Sequence, residues 1–242
     1  MASEPLLKLL TGTGTGSRRW LADAIKHGRV TVNGEVVEDF RHPVNTKRDR
    51  ISIDGRSVEL EPKQAVYLML NKPSNIMSTT HDERGRRTVL DIIPGKYRHL
   101  RLYPAGRLDK DSTGLLLLTN DGELTYRLTH PRFEHEKEYL LHIDGELRPV
   151  EKKKLERGIE LEEGLTSPAV VREIKSSPPF NYSITIHEGR KRQVHRMLEA
   201  LGYRVLALKR IRMGNLSLGD LKEAAIRELS AREVRKLLSS KA

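Results

Sequence analysis

Four consecutive leucines, Leu115–Leu118, lie between Gly114 and the turn-forming triplet Asn120-Asp121-Gly122. A short apolar run bounded in this way predicts a strand buried on both faces. A chain that contains such a strand must build a sheet and cover it from both sides. Directly before it, Gly106-Arg107-Leu108-Asp109-Lys110-Asp111-Ser112 sets an arginine and two carboxylates at the mouth of the strand. A charged group there is held on a rigid element, as a catalytic group must be. From these residues alone, Asp109 and Asp111 also read as loop carboxylates that hydrogen-bond their own backbone.

The flanking sequence predicts an α+β protein in two parts. In residues 1–62, Ser17 is placed to cap a helix over Arg18–His27, which Gly28 can end in a left-handed cap. Leu21, Ala24 and Ile25 fall on one face of it. Val30–Val32 and Glu35–Val37 flank Asn33-Gly34, a strong hairpin signal, and Arg50–Gly55 repeats the strand-then-turn pattern. The three glycines of Thr11–Gly16 should loosen the end of the preceding helix. That run is not a phosphate loop, since no strand precedes it and no Gly-Lys-Ser/Thr follows. A polar junction, Glu59–Lys63 with Pro62, puts the domain boundary at 62/63.

In residues 63–242, strands are expected at Val66–Leu70, Lys137–Ile143, Tyr182–Ile186 and Val205–Arg212. Helices are expected at Glu123–Thr129, Val150–Arg157, Val194–Leu201 and Ser230–Leu238, with a short one over Val89–Ile93 capped by Thr88. His81–Arg87 reads as a charged loop.

The chain of 242 residues carries a net charge of +11, which predicts a polyanionic partner, most simply nucleic acid. The surplus is concentrated. Arg190–Arg212 contains eight basic residues against one acid, Glu199, a local balance of +7. In the first part, Arg18, Arg19, Lys26 and Arg29 face only Asp23, which fits a basic contact surface or a solvated helix face alike. The chain has no cysteine, which excludes disulfides, thiolate catalysis and Cys-ligated zinc. No apolar run approaches the roughly 20 residues that span a bilayer. Met1–Pro5 has no apolar core of a secretory signal, so a cytoplasmic protein is expected. His130, His187 and His195 lack ligand spacing, and no metal site is expected. Asp109 and Asp111 could suggest a glycoside hydrolase, which leaves the basic segment unexplained.

Two resemblances sharpen these expectations. Ser17-Arg18-Arg19, Ile25 and Gly28–Gly34 resemble the small RNA-binding domain of ribosomal protein S-four. Asn71-Lys72-Pro73, Gly106–Gly122, Lys137-Glu138-Tyr139 and Glu188–Val194 resemble, in order and spacing, the RsuA-type pseudouridine synthases, which modify ribosomal RNA. This second resemblance implies a mixed, mainly antiparallel sheet flanked by helices, and a uridine isomerase that needs neither cofactor nor metal. By it, Asp109 matches the catalytic aspartate, Tyr139 the tyrosine that packs on the target base, and Arg107 the arginine that helps hold the flipped nucleotide. Lys72, Arg190, Lys191, Arg192 and Arg196 join Arg18, Arg19, Lys26 and Arg29 as expected RNA contacts.

One position departs from the family pattern. Where the family has an arginine or lysine paired with the aspartate, this chain has His195. If His195 supplied that charge, activity would fall as pH rises through its pKa. A non-catalytic ribosome-assembly factor on the same fold is therefore the rival reading. The expected protein is a monomer acting on ribosomal RNA or a precursor of a ribosomal subunit. Its extended Leu216–Ala242 tail favours the large-subunit subgroup.

Overall fold

The computed structural model describes residues 3–60, 64–175 and 177–239. Met1 and Ala2, residues 61–63 of the expected junction and the last three residues of the tail lie outside them. The chain divides into two compact units, Met1–Ala65 with Asn120–Gly122, and Val66–Thr119 with Glu123–Ala242.

The first unit packs helices Leu6–Gly12 and Arg18–Lys26 on a four-stranded antiparallel sheet. Its strand order is Glu35–Val36, Val30–Val32, Ile51–Ile53, Arg56–Val58. The Trp20 amide donates to Ser17 Oγ at 2.9 Å, which is the expected N-cap. Asn33 and Gly34 both adopt positive φ (54° and 90°), as a type I′ hairpin turn requires. The first helix stops at Gly12, where the Gly-Thr run begins. Leu6, Leu10, Leu21, Ile25, Val30 and Ile51 fill the core between the layers.

The second unit is built on a nine-stranded mixed sheet. Its main path runs Val170–Glu173, Tyr182–Ile186, Lys137–Ile143, Val205–Met213, Thr113–Thr119, Tyr67–Lys72, Ile226–Glu228. Tyr103–Ala105 and Leu216–Ser217 are added at the side. Neighbouring pairs along it are antiparallel except Val205–Met213 beside Thr113–Thr119, where Lys209 faces Thr113 and Arg210 faces Gly114 in parallel register. The mixed, mainly antiparallel sheet is thus as expected.

Leu115–Leu118 is buried on both faces. Leu116 and Leu118 enter the main core with Leu68, Leu70 and Val89. Leu115 and Leu117 enter a second cluster with Leu124, Leu128 and Leu237. The helix Ala231–Ser239 is capped as predicted, with the Ser230 amide and hydroxyl both donating to Glu233 Oε2.

One expected element is absent. Val89–Ile93 forms turns instead of a helix. The Asp91 carboxylate accepts from both the amide and the hydroxyl of Thr88, at 2.6 and 3.0 Å, and so holds the chain in a local turn.

Gly114 is required by the parallel seam. Its φ is +99°, and an added Cβ would overlap the Arg210 carbonyl oxygen and stand 2.7 Å from the Arg210 amide nitrogen. Both obstacles are backbone and cannot swing aside. Gly114→Ala is therefore expected to cost on the order of 3 kcal/mol or more, from backbone strain together with overpacking. A urea melt with less than about 1 kcal/mol of loss would contradict this.

Candidate active site

The loop that joins Ala105 to the Thr113–Thr119 strand is held from beneath by buried donors. Lys72 lies at the end of its strand and is fully buried. Its ammonium donates to the carbonyls of Ser112 (2.8 Å), Pro73 (3.0 Å) and Lys110 (3.2 Å). Burial pulls its pKa down to about 8, against the attraction of Asp111 and Asp109, so it remains protonated at neutral pH. Ser78 clamps Leu108 from both sides, its hydroxyl donating to the Leu108 carbonyl and accepting from the Leu108 amide. The Asn75 amide donates to the Lys110 carbonyl at 2.8 Å. Lys72, expected as an RNA contact, thus sits beneath the surface and shapes the loop. A cation sealed under three carbonyls, two of them from the 110–112 segment, has no path to solvent.

This loop forms one wall of a cavity of about 540 Å³. Asp109 lines it, half-exposed, with no side-chain hydrogen bond or ion pair among the described residues. Arg107 stands beside it, exposed to solvent. The opposite wall comes from the Lys137–Ile143 strand, which contributes Tyr139, and from the 186–195 turn and helix. Tyr139 is only 8% exposed and packs into the main core while it also borders the cavity. The core reading and the site reading of this tyrosine therefore hold together.

The basic segment divides into structural and available cations. Arg190 donates to Glu188 and to the carbonyls of Gly164 and Leu165, which fixes the turn. Arg196 is held by Glu163 at 2.7 and 2.8 Å and does not border the cavity. Arg192 occupies the left-handed region (φ 49°) and donates to both Asp111 oxygens at 3.3 Å. Lys191 is exposed at the rim. In the first unit, Arg18, Arg19 and Lys26 are exposed, whereas Arg29 is tied to Asp23 and Asp54.

His195 is buried, 5% exposed. The carboxylate within ion-pair reach of its Nε2 is that of Asp111, at 3.7 Å, and not that of Asp109. Its Nδ1 has no hydrogen-bond partner among the described residues. Burial and the neighbouring Arg192 guanidinium push the His195 pKa below its ordinary value, more strongly than Asp111, Asp109 and Glu199 raise it. The imidazole is thus neutral at neutral pH, and neither a charged pair nor a hydrogen bond joins His195 to Asp109 among the described residues. Asp111, by contrast, is held below the carboxylate range. Burial raises it, but its own backbone amide, Arg192 and His195 together outweigh that.

Two cavity-lining cations, buried Arg210 and half-buried Lys137, escaped sequence reasoning. Arg210, 3% exposed, lines the cavity, donates through Nε to the Leu115 carbonyl at 2.7 Å, and has an Nη2 without a partner among the described residues. Lys137 lines it too. Burial and the Arg210 charge lower its pKa to about 8 against the pull of Glu188. Lys137 stood in a recognised block and Arg210 in the basic segment, yet nothing local marks which cations point inward. No group of three His, Cys, Asp or Glu side chains that could hold a metal ion occurs among the described residues. No described helix is long and apolar enough to cross a membrane.

Comparisons with known proteins identify the family. Residues 66–200 match the family described as RNA pseudouridylate synthase. The chain is 44% identical to ribosomal large subunit pseudouridine synthase B of Bacillus subtilis (strain 168), over 97% of this chain and 95% of that protein. It is 39% identical to an uncharacterised RNA pseudouridine synthase of Aquifex aeolicus (strain VF5), over 96% and 93%. A crystal structure of a pseudouridylate synthase superposes with a TM-score of 0.69 at 32% identity, covering 98% of this chain and all of that one.

The depressed His195 pKa has a direct consequence. Histidine NMR titration is expected to place the His195 midpoint below 6.5, so its charge does not change above neutrality. A midpoint above 6.5 would mean that the carboxylates, not burial, set its charge.

Proposed function

The chain belongs to the RNA pseudouridylate synthase family, and we propose that it isomerises one uridine of ribosomal RNA with Asp109 as its catalytic carboxylate. Its activity is that of an isomerase. The large-subunit RNA is the proposed substrate, in line with the name of the Bacillus relative. The observation that carries the assignment is the unpaired Asp109 carboxylate on a rigidly held loop, bordering a cavity shared with Tyr139 and Arg107.

In the proposed reaction, an Asp109 oxygen attacks ribose C1′ and the glycosidic bond breaks, its electron pair leaving with N1. The freed uracil turns within the cavity. C5 then attacks C1′, which expels the Asp109 carboxylate; the C5 proton is lost to solvent and N1 takes one up, so the product is an isomer of the substrate. Tyr139 packs on the base and assists the loss of the C5 proton. The uridine must be extruded from its stack, at a cost of a few kcal/mol, and Arg107 at the rim fills the vacated place.

Neutral His195 supplies no fixed charge, and the buried guanidinium among the described cavity-lining residues is that of Arg210, with Lys137 near it. Any loss of activity caused by His195 titration then lies on the acidic side of neutrality. Exposed Lys191, Arg107 and the first-unit residues Arg18, Arg19 and Lys26 are proposed as RNA contacts, with Arg192 at the cavity edge. The first unit is proposed as an S-four-type RNA-binding domain, and the whole protein as a cytoplasmic monomer.

Transcripts of large-subunit RNA tritiated at uridine C5 test the proposal. The native chain is expected to release tritium, and Asp109→Asn to lower the rate by at least 10³-fold, on the order of 4 kcal/mol of barrier. Equal background release from both would leave a non-catalytic RNA-binding assembly factor as the better reading.

A further inference from the structure

The helix Gly122–Thr129 buries Leu124 and Leu128 and turns a different face outward. On that face Tyr126 is 40% exposed. One turn later comes His130, its ring centroid 4.8 Å from that of Tyr126. The chain then makes a single 3₁₀ turn, Pro131–Phe133, and Glu134 reverses it in the left-handed region (φ 45°). This brings Phe133 back edge-on to Tyr126, with ring centroids 5.8 Å apart at 89°. The Arg132 guanidinium lies over both rings, 4.4 Å from Phe133 and 5.0 Å from Tyr126. It is exposed and has no carboxylate partner among the described residues.

The platform is continuous with the catalytic cavity. Thr129, His130, Pro131 and His135 line that cavity together with Asp109 and Tyr139. The core does not account for it, since the helix already buries its apolar side through the two leucines. Exposed π-faces interleaved with an unpaired guanidinium have a natural ligand chemistry. Unpaired nucleobases stack on aromatic rings and arginine planes, while the backbone phosphate next to them complements the cation. A base-paired helix offers no such free face.

We propose that Tyr126, His130, Arg132 and Phe133 form a stacking platform for an unpaired base of the RNA substrate, close to the uridine that enters the cavity. This inference rests on the assignment of RNA as substrate. Stacking on one such ring changes affinity on the order of 5- to 100-fold when the ring is removed.

The probe is a single-stranded ribooligonucleotide of mixed sequence carrying one 2-aminopurine, whose fluorescence is quenched by stacking. The native chain is expected to quench it. Tyr126→Phe should retain the quench, Tyr126→Leu should lose most of it and weaken binding at least 5-fold, and Arg132→Gln should weaken binding to a smaller extent. Leucine at this exposed helical position preserves the fold, so loss of binding reads the ring. In the tritium assay, Tyr126→Leu should raise KM with little change in kcat. An absent quench, or equal binding and KM for Tyr126→Leu and Tyr126→Phe, would overturn the proposal and leave the patch to a protein partner. The fluorescence is read whether or not tritium is released, so failure of the catalytic assignment is told apart from failure of the platform.

Discussion

The close approach of Gly114 to the backbone of Arg210 joins two halves of a sheet that are each antiparallel. On one side stand the strands Tyr67–Lys72, Thr113–Thr119 and Ile226–Glu228; on the other, Lys137–Ile143, Tyr182–Ile186 and Val205–Met213. The main path crosses between them at the pairs Lys209–Thr113 and Arg210–Gly114. Any side chain at residue 114 would strike main-chain atoms, so the seam exists because that residue is glycine. The cavity spans this seam. Asp109 and Arg107 arrive from one half, whereas Tyr139 and the 190–195 turn arrive from the other. Arg210, part of the seam itself, ties it by donating to the Leu115 carbonyl.

Charge is used in two ways around this junction. Lys72 and Arg210 are buried and satisfy backbone carbonyls, Arg190 pins the turn to Gly164 and Leu165, and Arg196 is held by Glu163. These cations organise the walls. Exposed Lys191 and Arg107 remain available to a polyanion at the rim. A net surplus of +11 therefore overstates the charge that contacts a ligand. It does not overstate the attraction, because field depends on the sum. Among the described residues Asp109 has no basic ion-pair partner, while Asp111 engages both Arg192 and His195. A neighbour two residues away thus takes the contacts with Arg192 and His195 that Asp109 does not make.

Much of the fold was legible because its signals are local. Ser17, Asn33-Gly34, the Ser230–Glu233 cap and the doubly buried Leu115–Leu118 each depend on a few adjacent residues, and each forms as its sequence predicts. The helix expected over Val89–Ile93 failed because Asp91 captures Thr88, a competition between side chain and backbone that periodicity does not register. The short strands Tyr103–Ala105 and Ile226–Glu228 carry no alternating pattern and exist only because a long neighbour offers an edge. At the site, the order of motifs pointed to Asp109 and Tyr139. The inward direction of Lys72, Lys137 and Arg210 was not legible, since burial of a cation depends on carbonyls supplied from distant segments. The charge of His195 was likewise hidden, being set by burial and by Arg192 across a turn.

The central claim is that the cavity at the seam converts uridine to its C-glycoside isomer. The most direct measurement is chromatographic separation of nucleosides from large-subunit RNA that has been incubated with the purified chain and fully digested. Pseudouridine rising to about one residue per RNA molecule, with uridine falling by the same amount, is the predicted result. RNA that is bound by the chain yet gains no pseudouridine would contradict the account.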